Sequence, residues 1–595
     1  MDDQNKNLIL ATGLSFLVIL VWFVLFPPPE PVVDPNAPTA TLTTPDATAT
    51  TPAVASAEAP QTVQPESPRI KIDTPLLEGS ISMLGGRIDD LSLKTYRETI
   101  DPASPLVRLL SPVGKDNAYY AVYGWVPAGE LGFDAVPDAN TEWQIASGDT
   151  LSPGKPVSLS WDNGAGLLFT RTLTVDDHFM FTVAQKVENQ TGAEVRLAPY
   201  GQVARHGLPA TQNIWVVHEG AVQMADGRLE ERTYKNMPKL DPVANEAAPA
   251  EVTPVTADGW IGFTDHYWMT ALIPAPGQAF TAVQKYLPGS AIYQTETRLP
   301  TMTVAAGASA EVTTQLFAGA KEWETIRNYE NNDGIKGFIN SIDWGWFFFL
   351  TKPIFFVLHW LHGVIGNMGL AIIGLTLLLK ALLFPLAYKS YVSMARMKEL
   401  QPEIEALKEK IGDDKQKLQV EMMKMYKEKK INPAAGCLPI LPQIPIFFSL
   451  YKVIFVTIEL RQAPFFGWLK DMSMPDPSSI LNLLGLLPFA PPDPTSFIAI
   501  ISIGVLPILL GISMWLQQKL NPAPTDATQA AIFAWMPWVF MFMLGKFASG
   551  LVIYWIANNT ITFTQQYLIM RSHGHKPNIF GNIASGFRRK KPTPK

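Results

Sequence analysis

Twenty consecutive residues, Phe497 to Leu516 (FIAIISIGVLPILLGISMWL), carry no charge. At 1.5 Å per residue, a helix of that length matches the hydrocarbon core of a bilayer. Other stretches of the same kind follow a common pattern. Residues 8–26 hold 19 uncharged residues, residues 436–458 form another run broken only by Lys452, whose side chain is expected to stretch to the headgroups, and residues 532–570 are apolar for longer than one crossing needs. The break Gly545-Lys546-Phe547-Ala548-Ser549-Gly550 divides that last stretch into spans at 532–546 and 550–570. A further span is expected at 363–388, giving six. Trp344 to Leu361 (WGWFFFLTKPIFFVLHWL) mixes aromatic residues with Lys352, Pro353 and His359, so residues 340–362 are expected to lie along the membrane interface. Hydrophobic residues are 47% of the chain and charged residues only 17%, which fits a multi-domain protein with a polytopic α-helical membrane core.

The remainder is of a different character. Residues 27–340 contain 21 basic and 37 acidic side chains, whereas the rest of the chain contains 26 and 16. Within the acidic part, residues 27–68 are dense in Pro, Ala and Thr and are expected to be a disordered linker behind an N-terminal transmembrane anchor at 1–26. No Ala-x-Ala pattern occurs within reach of the 8–26 run, the nearest ones lying near residues 47–55, so the anchor is expected to be retained rather than cleaved as a signal peptide. Residues 69–330 alternate in short stretches, such as Ile88, Leu91, Leu93 and Val157, Leu159, Trp161. Turn chemistry at Asp162-Asn163-Gly164 and Asn189-Gln190-Thr191-Gly192 punctuates them, predicting a large all-β sandwich.

Charge also orients the spans. Residues 389–430 hold 11 basic and 8 acidic residues around a Gly412-Asp413-Asp414 break, which predicts a helical hairpin outside the membrane. Together with the basic tail at 571–595 it collects 18 Lys and Arg, against only Arg461 and Lys470 in the loop at 460–496. Both termini and the hairpin are therefore expected in the cytoplasm, and the β domain on the far side.

Enzyme signatures are absent: no GxxxxGK[ST], HExxH, GxSxG or GxGxxG pattern occurs. The single cysteine, Cys437, excludes an internal disulfide, and no Cys/His cluster has metal-ligand spacing. No cofactor is expected. Histidines at 178, 206, 218 and 266 are scattered through the β domain, as structural histidines usually are.

The informative residue is Lys380, about 13 Å inside the cytoplasmic end of its span. A cation at that depth needs a partner, water, or a stretch to the headgroups. No Asp or Glu lies in any span at that depth. Tyr554, Asn558, Thr562 and Gln565 follow at helical spacing on one face of the last span, Gln443 lies among Pro439, Pro442 and Pro445, and Thr376 is one turn before Lys380. Interhelical hydrogen bonding alone accounts for the neutral groups, but not for the charge. A hydrated groove lined by these residues accounts for both. In the hairpin, Met394, Met397, Met422, Met423 and Met425 either receive varied apolar partners or zip the two helices together. The tail Arg588-Arg589-Lys590-Lys591 suits phosphate of lipid or ribosomal RNA, and equally a topology signal.

Several stretches resemble the YidC/Oxa/Alb family of membrane protein insertases in its Gram-negative form: Gly412-Asp413-Asp414-Lys415-Gln416, Asn432-Pro433 with Gly436-Cys437-Leu438-Pro439, Gln443-Ile444-Pro445-Ile446-Phe447, Glu459-Leu460-Arg461-Gln462-Ala463-Pro464, and Ser549-Gly550-Leu551-Val552 leading into Tyr554. The resemblance covers residues 340 to 570 in order. It implies a periplasmic super-sandwich and five helices enclosing a groove open to lipid and cytoplasm. It further implies a non-enzymatic insertase in the inner membrane, with nascent membrane proteins, the ribosome, the Sec translocon and membrane lipids as partners. The family usually places arginine where Lys380 stands, so the charge is kept while the planar fork is lost. A transporter or lipid translocase using the same groove is the rival; the internal repeats or acidic sites it calls for are absent from the spans.

Overall fold

The computed structural model describes residues 67–209, 217–412, 414–429, 438–485, 487, 502–521 and 527–574. The expected anchor at 1–26, nearly all of the 27–68 linker, Cys437, residues 497–501 and the tail beyond residue 574 lie outside the described residues.

Between Arg69 and Ala320 the chain forms a 12-stranded and a 9-stranded sheet. In the larger sheet Val195–His206 runs antiparallel between Tyr119–Ala128 and Ile292–Arg298. In the smaller, Met180–Asn189 runs antiparallel between Leu167–Val175 and Ser309–Ala320. Alternation places Val157, Leu159, Phe169 and Leu173 of one sheet in the same core as Ile72, Leu91, Leu93 and Val203 of the other, all fully buried. A register shift opposite Ser80 and Ile81 lets Ile88 and Leu91 both face inward despite their odd spacing. The expected turn at Asp162-Asn163-Gly164 forms with Gly164 at φ 70°. The Asp162 and Asn163 side chains accept backbone N–H groups there, at 2.8 Å each from Gly164 and Ala165.

Ten helices follow among the described residues: α1 (Trp323–Asn332), α2 (Phe348–Ile365), α3 (Met368–Leu382), α4 (Phe384–Glu399), α5 (Gln401–Ile411), α6 (Lys415–Glu428), α7 (Ile440–Val456), α8 (Val505–Leu520), α9 (Ala527–Leu544) and α10 (Ser549–Ser572). Several expected boundaries move. The interfacial segment expected at 340–362 is helical only from Phe348, and it runs on to Ile365. Gly366 then ends it in the left-handed conformation, its N–H donating to the His362 carbonyl at 2.7 Å. Asn367 starts α3 by accepting the Leu370 N–H at 3.0 Å. The span expected at 363–388 ends early, because Pro385 cannot continue the hydrogen-bond ladder. The chain bends by 69° between α3 and α4. The hairpin expected at 389–430 is the second half of α4 followed by α5 and α6, with Asp414 capping α6 through the Lys417 N–H at 3.0 Å.

On length and composition, α2 alone among the described helices suffices to cross a membrane, and α3 with α4 does so only as a bent pair. The stretch expected at 497–516 is helical from Val505 to Leu520, and those expected at 532–546 and 550–570 run from Ala527 to Leu544 and from Ser549 to Ser572. The start of α8 is capped from a distance. Asp476 accepts the Leu506 N–H at 2.8 Å, and Ser478 accepts that of Val505 at 2.9 Å. A side chain on Gly504 would collide with that carboxylate.

The β domain meets the helices at the C-terminal end of α7. His266 hydrogen-bonds the Phe455 carbonyl through Nε2 and stacks on Tyr267 at 3.8 Å. The Arg461 guanidinium donates to the Arg97 carbonyl at 2.5 Å, and the Gln462 amide to the same oxygen at 3.0 Å. Burial pushes the His266 imidazole down to about 4, so the folded ring is neutral while an unfolded one takes up a proton near pH 6.5. Its contribution to stability is complete above pH 6.5 and is lost as pH falls toward 4. In detergent-solubilised protein, the unfolding midpoint of wild type is expected to drop more steeply between pH 6.5 and 4 than that of His266→Gln. The full difference is about 3 kcal/mol, and superimposable pH profiles would contradict a buried neutral ring.

Candidate functional site

Three helices meet around Lys380. The bend after α3 leaves this lysine in the last turn of its helix, and α7 and α10 present polar side chains opposite it. The Lys380 ammonium donates to Thr562 Oγ1 at 2.8 Å and to Gln443 Oε1 at 3.4 Å. Gln443 passes the chain on, donating through Nε2 to the Tyr554 hydroxyl at 2.7 Å and to Asn558 Oδ1 at 3.3 Å. No carboxylate pairs with Lys380 among the described residues. An ammonium has three N–H donors, and two have partners, which leaves one for an oxygen of an incoming molecule. Lys380 also lines a small cleft with Leu383, Leu386, Tyr391, Pro442 and Gln443.

Five of the seven expected groove residues therefore form one connected network: Lys380, Gln443, Tyr554, Asn558 and Thr562. Thr376 does not join it. Its hydroxyl is buried and donates to the Ile372 carbonyl of its own helix at 2.7 Å, a local bond that threonine makes readily in an apolar helix. Gln565 stands apart as well, with its amide oxygen buried and without a donor among the described residues.

The methionine face of the hairpin is mostly used internally. Met397, Met422 and Met425 pack with Leu400, Ile404 and Tyr426 between α5 and α6, and Met394 packs beside Ala387, Tyr391 and Ile569. Of the two expectations for this face, the packing of Met397, Met422 and Met425 accords with the zipping of the hairpin helices, which bury their apolar sides against each other. Met423 is exposed, next to exposed Val420 one turn earlier.

Two features escaped the sequence reading. Tyr391 of α4, beyond the 69° bend, pairs its hydroxyl with Thr562. On another face of α10, Asn559 donates to Ser513 at 3.1 Å and Gln566 to Asn521 at 3.1 Å. The seven-residue spacing of Asn559 and Gln566 was the available signal for a second polar seam, joining α10 to α8.

Comparison with known proteins adds an independent line. Residues 69–357 match the family model of the YidC periplasmic domain, and residues 360–576 match that of the 60Kd inner membrane protein. The Dinoroseobacter shibae protein named membrane protein insertase YidC is 68% identical over 603 residues, covering 100% of both chains. The Cereibacter sphaeroides protein of the same name is 68% identical over 601 residues, covering 99% of this chain and 96% of its own. The chain belongs to the YidC family of membrane protein insertases. Like other YidC family members it is an inner membrane protein, with a large all-β domain ahead of a helical C-terminal region. A crystal structure of an active YidC insertase aligns with a TM-score of 0.35 at 18% identity, over 86% of this chain and 95% of that one.

Within this YidC family chain, Gln443 is the hub of the network. Replacing it with leucine leaves Lys380, Tyr554 and Asn558 short of a partner, and a buried polar group left unpaired costs about 1–3 kcal/mol. Gln443→Leu is expected to lower the unfolding midpoint of the solubilised protein clearly more than Thr376→Val, which removes only a local bond. Equal effects would contradict the network.

Proposed function

We propose that this protein inserts transmembrane segments of newly made proteins from the cytoplasm into the inner membrane, and that the Lys380 network is where a substrate's polar tail is held during transfer. The difficulty such a catalyst must overcome is the desolvation of polar backbone and charged side chains crossing hydrocarbon. A cation held by neutral acceptors, with one donor left over, offers that tail a charge-assisted hydrogen bond partway across. The apolar segment meanwhile slides along α7 and α9 into lipid, and burial of roughly 20 apolar residues draws it away from the groove. No nucleotide is required.

The observation that carries this reading is the lone ammonium joined to Gln443 and Thr562 and lining a small cleft. The family's shared name supports it and lends nothing to a transporter or lipid translocase. In the same reading the chain crosses the membrane six times with both termini in the cytoplasm, and five of those helices form the groove. α2 rests in the interface, its exposed Phe349, Phe356, Trp360 and Val364 turned toward lipid. Exposed Met423 and Val420 meet the incoming chain, the basic tail touches the ribosome, and longer substrates are shared with the Sec translocon.

The test is insertion of a short single-span substrate with an acidic tail into liposomes containing the purified protein. Lys380→Arg is expected to retain most activity. Lys380→Ala should lose about tenfold or more, the worth of one hydrogen bond to a charged group. Equal rates for all three proteins would remove the charge from the mechanism.

A further inference from the structure

Lys452 lies in α7 nine residues after Gln443, about 13 Å along the same helix. From the sequence it looked like a side chain stretching to the headgroups. Instead it is buried, and its ammonium stands 2.5 Å from the Asp343 carboxylate, in the segment that joins α1 to α2. Gly345, at φ 68°, leaves the room that the Lys452 stem occupies: a Cβ there would come within 3.3 Å of Lys452 Cε. Asp343 is itself held, accepting the His218 N–H at 2.9 Å and the Gly345 N–H at 3.1 Å. The carboxylate therefore has a fixed position and Lys452 must come to it.

The other end of α7 has less to hold it. Pro445 lacks a backbone N–H, so the turn that carries Gln443 is short of a ladder bond. Stacking of Phe447 on Trp555 at 4.9 Å holds the middle of the helix laterally, but stacked rings tolerate sliding. A buried ion pair with a fixed partner does not.

We propose that Asp343 and Lys452 are a positioning pair that sets the height and rotation of α7, and so places Gln443 within reach of Lys380. The proposal rests on the insertase reading for its consequence, though not for its geometry. Neither residue touches a substrate; both act through Gln443.

Cys437 is the only cysteine in the chain, so a Cys437→Ser background allows one introduced pair, Leu383→Cys at the end of α3 and Pro439→Cys at the start of α7, both of which line the cleft. Their crosslinking rate in proteoliposomes reports the placement of α7, and insertion of the acidic-tailed substrate is measured in parallel without the added cysteines. Lys452→Met and Asp343→Asn are each expected to reduce crosslinking and insertion by about fivefold or more, since either change removes the buried ion pair that holds α7. Lys452→Arg, which keeps the charge, should restore both to within about twofold. Insertion at the wild-type rate in Lys452→Met and Asp343→Asn overturns the proposal, as does lost insertion with unchanged crosslinking. Should one variant fail to accumulate, the other decides. Lys380→Ala separates the two ideas: it is expected to lower insertion and leave crosslinking intact. If it inserts normally, the groove reading falls while the crosslinking comparison still judges the pair.

Discussion

An ammonium among aliphatic side chains must be given oxygen, and much of the helical region is arranged around that requirement. Lys380 cannot be satisfied by its own helix, whose carbonyls are engaged in the ladder, so its acceptors come from elsewhere. Thr562 and Gln443 supply them from α10 and α7. Gln443 in turn needs Tyr554 and Asn558 to complete its own amide. Once those bonds are made, three helices share one register at one depth. An apolar residue at position 380 would release α3 and α10 from these bonds, and packing between apolar helices in lipid has little directional preference, whereas α7 would keep its hold on Asp343.

The β domain was legible because alternation with period two survives in a single sequence, and Val157, Leu159 and the Asp162-Asn163-Gly164 turn fall as the pattern requires. Helix breaks were legible where the breaker is unambiguous, as at Gly545 to Gly550. They were misplaced where two signals compete. The interfacial helix was expected to end at residue 362, whereas the working break is the Gly366-Asn367 pair, in which one residue closes a helix and the next opens another. Pro385 was visible, but apolar residues on both sides of it disguised a bend as a continuous span.

Among the site residues, Lys380, Gln443, Tyr554, Asn558 and Thr562 could be gathered from depth and helical spacing. Thr376 shows the limit of that method, since a shared face does not reveal whether a hydroxyl turns outward or back onto its own carbonyl. Lys452 shows another limit. Its partner Asp343 lies 109 positions earlier, and no periodicity connects a residue in one helix with one in a distant connecting segment. The methionines of the hairpin were recognised as a face, but composition alone cannot say which of two surfaces covers it.

The proline bend after Leu382 also has a consequence for the surrounding lipid. Fifteen residues of α3 rise about 22 Å and sixteen of α8 about 24 Å, short of the roughly 30 Å occupied by acyl chains. In the six-span reading, lipids beside such short columns compress, or their headgroups dip inward. A guest helix departing along this wall would enter a local dimple, where its polar ends travel a shorter way than through the undisturbed sheet of fat around it.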